Sequence, residues 1–137
     1  KLIDGGVSGL FMGGTAGLGS ILTAADYELV IATTLAEVPD DYPVLCGVLE
    51  PSTARAVERI ALLDSLGAKF FVTVTPYYVR ATADDALLRH FDAQREATDM
   101  EMVSNSFRPH KYYWRSTHRI QSQDCWYRTP VEVAVTP

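Results

Sequence analysis

The sequence is poor in the residue types that build cross-linked, metal-binding or membrane-spanning proteins. It has only two cysteines, Cys46 and Cys125, in 137 residues, too few for a disulfide framework or a cysteine-rich metal centre. No apolar run approaches the roughly 20 residues of a membrane span. The first residues also lack the charged and apolar regions of a secretion signal. We therefore expect a cytoplasmic protein in which Cys46, within an apolar run, is a buried and unreactive thiol.

Positive charge and histidine are scarce as well. The formal net charge is -5 at pH 7, whereas a nucleic-acid partner usually requires a basic face. His90 falls within a predicted helix, and His110 and His118 have no cysteine or carboxylate at metal-ligand spacing. We expect no nucleic acid, membrane, metal or cofactor among the partners of this chain.

Apolar runs alternate with amphipathic stretches over the first three quarters of the chain. Four runs have the composition of buried strands: Val7–Met12, Pro43–Leu49, Phe70–Thr75 and Met100–Val103. Three helices begin near capping residues: Thr23, Ser52 or Thr53, and Thr82. Strands that alternate with helices in this way predict an α/β fold of parallel βα units. The pattern stops near Asn105, so we assign residues 1–105 to this unit and residues 106–137 to a tail of unknown structure.

Two tyrosines follow the third predicted strand. Pro76 cannot donate to a strand ladder and closes the run, so Tyr77 and Tyr78 stand at its carboxyl end. Ligands bind at this end of the strands in α/β proteins, and a phenol there can donate, accept or relay a proton. The alternative is that both tyrosines are core aromatics whose hydroxyls reach water.

A glycine-rich loop, residues 13–19, follows the first predicted strand. It lacks the G-x-G-x-x-G order and the lysine of nucleotide-binding loops, so we do not assign it to a nucleotide.

Several motifs together resemble the pyruvate-dependent class I aldolase family, which includes dihydrodipicolinate synthase and N-acetylneuraminate lyase. The resemblance covers residues 1–105 and is carried by six stretches: Asp4–Phe11, Gly14–Gly17, Leu22–Thr23, Val74–Tyr78, His90–Phe91 and Glu96–Asp99. It implies a partial TIM (β/α)8 barrel, comprising the second to fifth strands of the family fold. It also implies a carbon–carbon lyase, or aldolase, in which a lysine forms a Schiff base with pyruvate or another 2-oxo acid, and a homo-oligomer.

The resemblance also assigns roles to individual residues. Thr15 and Tyr78 match the catalytic proton relay, and Thr15, Ala16 and Gly17 match the loop that holds the substrate carboxylate. Ser104 stands at a substrate-site position where the family has a tyrosine, and serine cannot span the same distance. Ala16 and Leu18 replace a usual hydroxyl and a usual glutamate, which favours a branch of the family other than dihydrodipicolinate synthase.

The family's sixth strand, which carries the Schiff-base lysine, has no counterpart. The chain's lysines are Lys1, Lys69 and Lys111, and none lies at a matching position. We therefore expect this truncated chain to be inactive alone. The alternative is a catalytically dead binding or assembly module built on the same half-barrel. The codons allowed for the tail can be read one base forward to resemble the family's continuation, which makes a frameshift our hypothesis for residues 106–137.

Overall fold

The computed structural model describes residues 2–77 and 84–105. Seven elements alternate along the chain: β1 Leu10–Met12, α1 Ala24–Glu37, β2 Val44–Val48, α2 Thr53–Ser65, β3 Phe70–Val74, α3 Asp84–Glu96 and β4 Glu101–Asn105. The predicted roles of Tyr78 and Thr82, and everything predicted for residues 106–137, lie outside the described residues.

The four strands form one parallel sheet in the order β1-β2-β3-β4. This confirms the predicted α/β fold of successive βα units and corresponds to part of a (β/α)8 barrel. All four strands therefore end at the same edge, which we call the carboxyl edge. The glycine loop, the start of α2 and Tyr77 all follow strand ends at this edge.

The strand β1 begins three residues later than the sequence predicts. The carbonyl of Val7 accepts a hydrogen bond from the hydroxyl of Tyr42. The hydrogen bonding of β1 to its neighbouring strand begins with Leu10, whose N–H donates to the carbonyl of Pro43 at 2.9 Å. A side chain 35 positions away in sequence thus occupies a carbonyl that the apolar pattern had assigned to the strand.

Two of the helices begin at the predicted caps. The hydroxyl of Thr23 accepts from the N–H of Asp26, and the hydroxyl of Ser52 accepts from the N–H of Arg55. These bonds satisfy backbone donors that the first helical turn leaves unpaired. Gly67 lies two residues after the end of α2 and has φ +77°. This left-handed conformation favours glycine at the position where a helix ends.

The hydrophobic core lies between one face of the sheet and the helices. It contains Tyr27 and Ile31 from α1, Ile60 and Leu63 from α2, and Phe91 from α3, packed on strand residues such as Cys46, Phe71 and Met102. Since Cys46 and Phe71 are opposite in register, as are Phe71 and Met102, these strand side chains share the helix-covered face. Within the described ranges, no helix has the length and apolar composition needed to cross a membrane.

Candidate active site at the carboxyl edge

The glycine loop is built on a close contact between Gly13 and Gly47. A methyl group at Gly47 would lie 2.3 Å from the carbonyl oxygen of Gly13, and one at Gly19 would lie 1.8 Å from the same oxygen. Neither position can hold a side chain without moving the backbone. The three glycines therefore let the loop pass directly over the end of β2 and return on itself.

The tip of the loop is an exposed turn from Thr15 to Leu18. The N–H of Leu18 donates to the carbonyl of Thr15, and the N–H of Gly19 donates to that of Gly14, both at 3.1 Å. Leu18 has φ +56°, a conformation uncommon outside glycine. Among the described residues, the N–H groups of Thr15, Ala16 and Gly17 donate to no backbone carbonyl. Three adjacent N–H groups at this exposed turn thus have no backbone acceptor within the described residues.

The amino end of α1, in contrast, already holds a carboxylate. Asp26 lies in its first turn and accepts a hydrogen bond from the hydroxyl of Thr23 at 2.6 Å. A negative charge there interacts favourably with the helix dipole and repels a second anion. Any anion at the loop is therefore bound by the turn itself, and the dipole of α1 adds little.

Tyr77 extends along the carboxyl edge. Its hydroxyl donates to the carbonyl of Leu49, which follows β2, at 3.1 Å, while 56% of the residue remains exposed. Tyr77 is therefore not a core aromatic whose hydroxyl reaches water, because its ring is accessible. Nor is its hydroxyl free for a ligand, because the carbonyl of Leu49 accepts from it. Tyr78, the residue assigned to the proton relay, lies outside the described part of the chain.

Ser104 lies on the helix-covered face of β4. It is opposite Thr73 in register, and the hydroxyl of Thr73 donates to Gln94 of α3 at 2.6 Å. The hydroxyl oxygen of Ser104 is buried and has no hydrogen-bond partner within the described ranges. The structure therefore brings Thr15, Ala16 and Gly17 together in one exposed turn. Ser104 lies apart from them, buried on the helix-covered face of the sheet.

A buried ion-pair group at the end of β2 was not found by sequence reasoning. Glu50 is 5% exposed, and its carboxylate accepts from Nε of Arg55 at 2.9 Å and from Nε of Arg59 at 3.1 Å. The guanidinium carbon of Arg59 lies 3.9 Å from the centroid of the Tyr27 ring. A carboxylate directly after an apolar strand, followed by arginines five and nine residues later, is the signal that could have indicated it.

The lysine that the structure describes does not lie at the carboxyl edge. Lys69 immediately precedes β3, at the opposite edge of the sheet, and its ammonium group donates to the carbonyl of Asp40. Nor do the described residues contain a group of three or more His, Cys, Asp or Glu side chains arranged to hold a metal ion.

The chain matches a known protein family over most of its length. The sequence model of the Dihydrodipicolinate synthetase family matches residues 1–107. The chain belongs to this family. The chain is 33% identical over 97 residues to the 4-hydroxy-tetrahydrodipicolinate synthase of Exiguobacterium sibiricum, covering 71% of this chain and 33% of that protein. It is 37% identical over 99 residues to the synthase of Anaeromyxobacter dehalogenans, covering 72% and 33%.

Solved structures of the dihydrodipicolinate synthase family show the same fold. One family member is a prophage protein from E. coli K12, solved in complex with pyruvate. It has a TM-score of 0.70 and 26% identity, with 75% of this chain and 34% of that chain covered. A crystal structure of dihydrodipicolinate synthase has a TM-score of 0.71 and 28% identity, with 75% and 35% covered. The chain thus spans about a third of the length of the relatives it matches.

Proposed function

We propose that this chain supplies the second-to-fifth-strand part of a pyruvate-dependent aldolase, and that its Thr15–Gly17 turn holds the carboxylate of a 2-oxo acid. The observation that carries the proposal is the set of three adjacent N–H groups at the carboxyl edge that no backbone carbonyl uses. Successive N–H donors form a concave site that favours an anion. Membership of the family and the pyruvate complex of a relative support a 2-oxo acid as that anion.

In this proposal each group has a separate role. The hydroxyl of Thr15 and the N–H groups of Ala16 and Gly17 bind the carboxylate. Tyr78 supplies the proton relay, since a phenol can donate and accept in turn. Ser104 lies on the helix-covered face of β4, so the substrate contact predicted for it requires β4 to rotate or is made by another residue.

The carbon–carbon bond step requires a lysine amine that attacks the ketone and releases water to form an imine, which then accepts electrons from the adjacent bond. Lys69 is at the wrong edge of the sheet and engages Asp40. We therefore expect the 137 residues alone to bind a 2-oxo acid without turning it over. The proposed activity, a lyase acting on pyruvate or a related 2-oxo acid, belongs to a barrel that also contains a correctly placed lysine.

A binding or assembly module without catalysis is the second candidate, and the position of Lys69 favours it. Trapping with pyruvate and borohydride, followed by mass spectrometry of the intact chain and its peptides, distinguishes the two. No adduct supports the module. An adduct at Lys1 or Lys111 supports an enzyme that uses a residue outside the described part of the chain, and an adduct at Lys69 contradicts our placement of the site.

Self-association is the expected state of the chain. The four strands within residues 2–77 and 84–105 cannot by themselves close into the eight-stranded barrel of the family, and strand edges with unpaired backbone groups pair readily with other chains. Sedimentation velocity should show homo-oligomers, whereas a stable, cooperatively melting monomer would count against an open sheet. A monomeric dihydrodipicolinate synthase variant is among the similar structures, so a monomer would not by itself count against the family assignment.

The binding proposal is tested by calorimetric titration with pyruvate. Replacing Thr15 with valine removes the hydroxyl and keeps a branched side chain, and should weaken binding about ten- to hundredfold, the effect of losing one hydrogen bond to a charged group. Thr34→Val is the matched control, because the hydroxyl of Thr34 donates to the carbonyl of Val30 within α1. Equal affinity in the two variants would contradict the assignment of Thr15.

A further inference from the structure

A chain of contacts leads from the end of β2 to the root of the glycine loop. It begins at the buried carboxylate of Glu50, which two arginines hold. The side chain of Arg55 is 65% exposed, while that of Arg59 is only 10% exposed. An ion pair with an exposed partner contributes little, so Arg59 is the partner that matters to the buried charge.

The next contact joins Arg59 to Tyr27. The guanidinium group covers one face of the ring, with its carbon 3.9 Å from the ring centroid, a cation–π arrangement within a desolvated site. The guanidinium cannot shift freely, because Nε and one terminal nitrogen are both bonded to Glu50. Glu50 thereby fixes the guanidinium that covers the ring.

The last contact joins Tyr27 to the loop. Tyr27 is fully buried, and its hydroxyl donates to the carbonyl of Gly47 at 2.9 Å. Its ring is so close to Gly13 that a methyl group there would lie 2.7 Å from Cε2. Burial raises the pKa of Tyr27 far above its usual value, so the hydroxyl remains a neutral donor. The side chain of Tyr27 thus packs against Gly13 with its ring and binds the carbonyl of Gly47 with its hydroxyl, and these two glycines are themselves in contact.

We infer that Glu50 and Arg59 are positioning residues for the anion-binding turn, acting through the ring of Tyr27 on Gly13. The inference rests on the proposed function for the identity of the anion, but the positioning itself concerns only the loop. Glu50 and Arg59 need not touch the substrate. They hold Gly13 and Gly47 in place through Tyr27. The N–H groups of Ala16 and Gly17 are then already oriented before the anion binds, which lowers the entropic cost of binding.

The test uses two measurements on the full chain. The first is the pyruvate affinity read from the amide resonances of Ala16 and Gly17. The second is the hydrogen-exchange rate of the Gly19 N–H, whose bond to Gly14 closes the turn; this rate needs no ligand. Arg59→Met removes the cation, and Arg59→Lys restores a charge that can pair with Glu50 and cover the ring.

Three further variants guard against a simple loss of folding. Arg59→Met leaves a buried carboxylate short of a partner, which can unfold a protein, so the double variant Glu50→Leu with Arg59→Met removes both charges together. Arg55→Met removes the exposed partner of the same carboxylate. Arg89→Met removes an exposed ion pair with Asp85 on α3, far along the chain from the loop.

The positioning role predicts that Arg59→Met and the double variant weaken pyruvate binding about five- to tenfold, as for an imperfectly placed charged hydrogen bond. Both should also speed exchange at Gly19 while leaving the β3 amide of Val72 unchanged. Arg59→Lys should recover part of both effects, and the two surface variants should show neither. Unchanged Gly19 exchange in the double variant, or equal acceleration at Val72, would overturn the inference. If the unmodified chain shows no pyruvate shifts, the proposed function fails while Gly19 exchange still decides the positioning role.

Discussion

Thr53 on α2 and His90 on α3 share a partly buried hydrogen bond, with 3.0 Å between the threonine hydroxyl and Nδ1 of the imidazole. The other ring nitrogen, Nε2, lies 3.3 Å from the carbonyl of Val74 at the end of β3. Because a carbonyl can only accept, Nε2 carries the proton and Nδ1 accepts from Thr53. One neutral imidazole therefore links two helices to the strand that leads to Tyr77.

This arrangement predicts a pH dependence of stability. Burial lowers the pKa of His90, so between that lowered value and about 6.5 the unfolded chain binds more protons than the folded chain. The contribution of His90 to the free energy of unfolding should fall as the pH is lowered through this window and be constant above it. Urea unfolding of the native chain and of His90→Gln should show a difference between them that shrinks below about pH 6.5. A pH-independent difference would show that His90 does not titrate on unfolding.

The buried pair of Thr73 and Gln94 predicts a local loss of stability. The hydroxyl of Thr73 donates to Oε1 of Gln94, whose amide group donates in turn to the carbonyl of His90 at 3.0 Å. Thr73→Val should lower the free energy of unfolding by about 1–3 kcal/mol, because it leaves a buried acceptor unpaired. Thermal and urea unfolding measure this loss. A change no larger than that of Thr34→Val would mean that Gln94 finds another donor.

The glycine contact predicts that one methyl group distorts the loop. Gly47→Ala would place a carbon 2.3 Å from the carbonyl oxygen of Gly13, so the loop must move, at a cost of about 1–3 kcal/mol. Gly17→Ala is the matched control, since its added carbon would have no neighbour closer than 3.4 Å. Denaturation curves should separate the two variants, and coincident curves would show that the loop yields without cost.

Cys46 should be unreactive in the folded chain. It is fully buried, and burial raises the pKa of its thiol to about 12, so both access and thiolate are lacking at neutral pH. A Cys125→Ser variant should react with a disulfide reagent only after denaturation. Ala54→Cys, in a chain without the native cysteines, places a thiol at an exposed position of α2 and should react at once. Rapid labelling of Cys46 in the folded chain would place it outside the core.

The sequence was sufficient to predict the local features of the fold. Apolar runs identified all four strands, and Thr23 and Ser52 identified helix starts, because strand burial and capping depend on neighbouring residues. The start of β1 was predicted wrongly because Tyr42, distant in sequence, occupies the carbonyl of Val7. Such a contact exists only once the sheet has formed.

Only the local geometry of the candidate site was predictable. The exposed Thr15 turn could be predicted because glycines next to a buried strand favour a tight loop. The side to which Ser104 faces could not, since it depends on its register with Thr73, and a shift of one residue reverses the face of every side chain. The contact of Arg59 with Tyr27 was equally inaccessible, because it joins two helices that only the tertiary fold brings together.

We propose above all that the Thr15–Gly17 turn binds the carboxylate of a 2-oxo acid. The most direct measurement is the detection of isotope-filtered nuclear Overhauser contacts from the methyl protons of 13C-labelled pyruvate to the full chain. We expect contacts to the Thr15 methyl group and to the amide protons of Ala16 and Gly17, and their disappearance when unlabelled pyruvate competes. Contacts instead to residues around Lys69, at the opposite edge of the sheet, would contradict it.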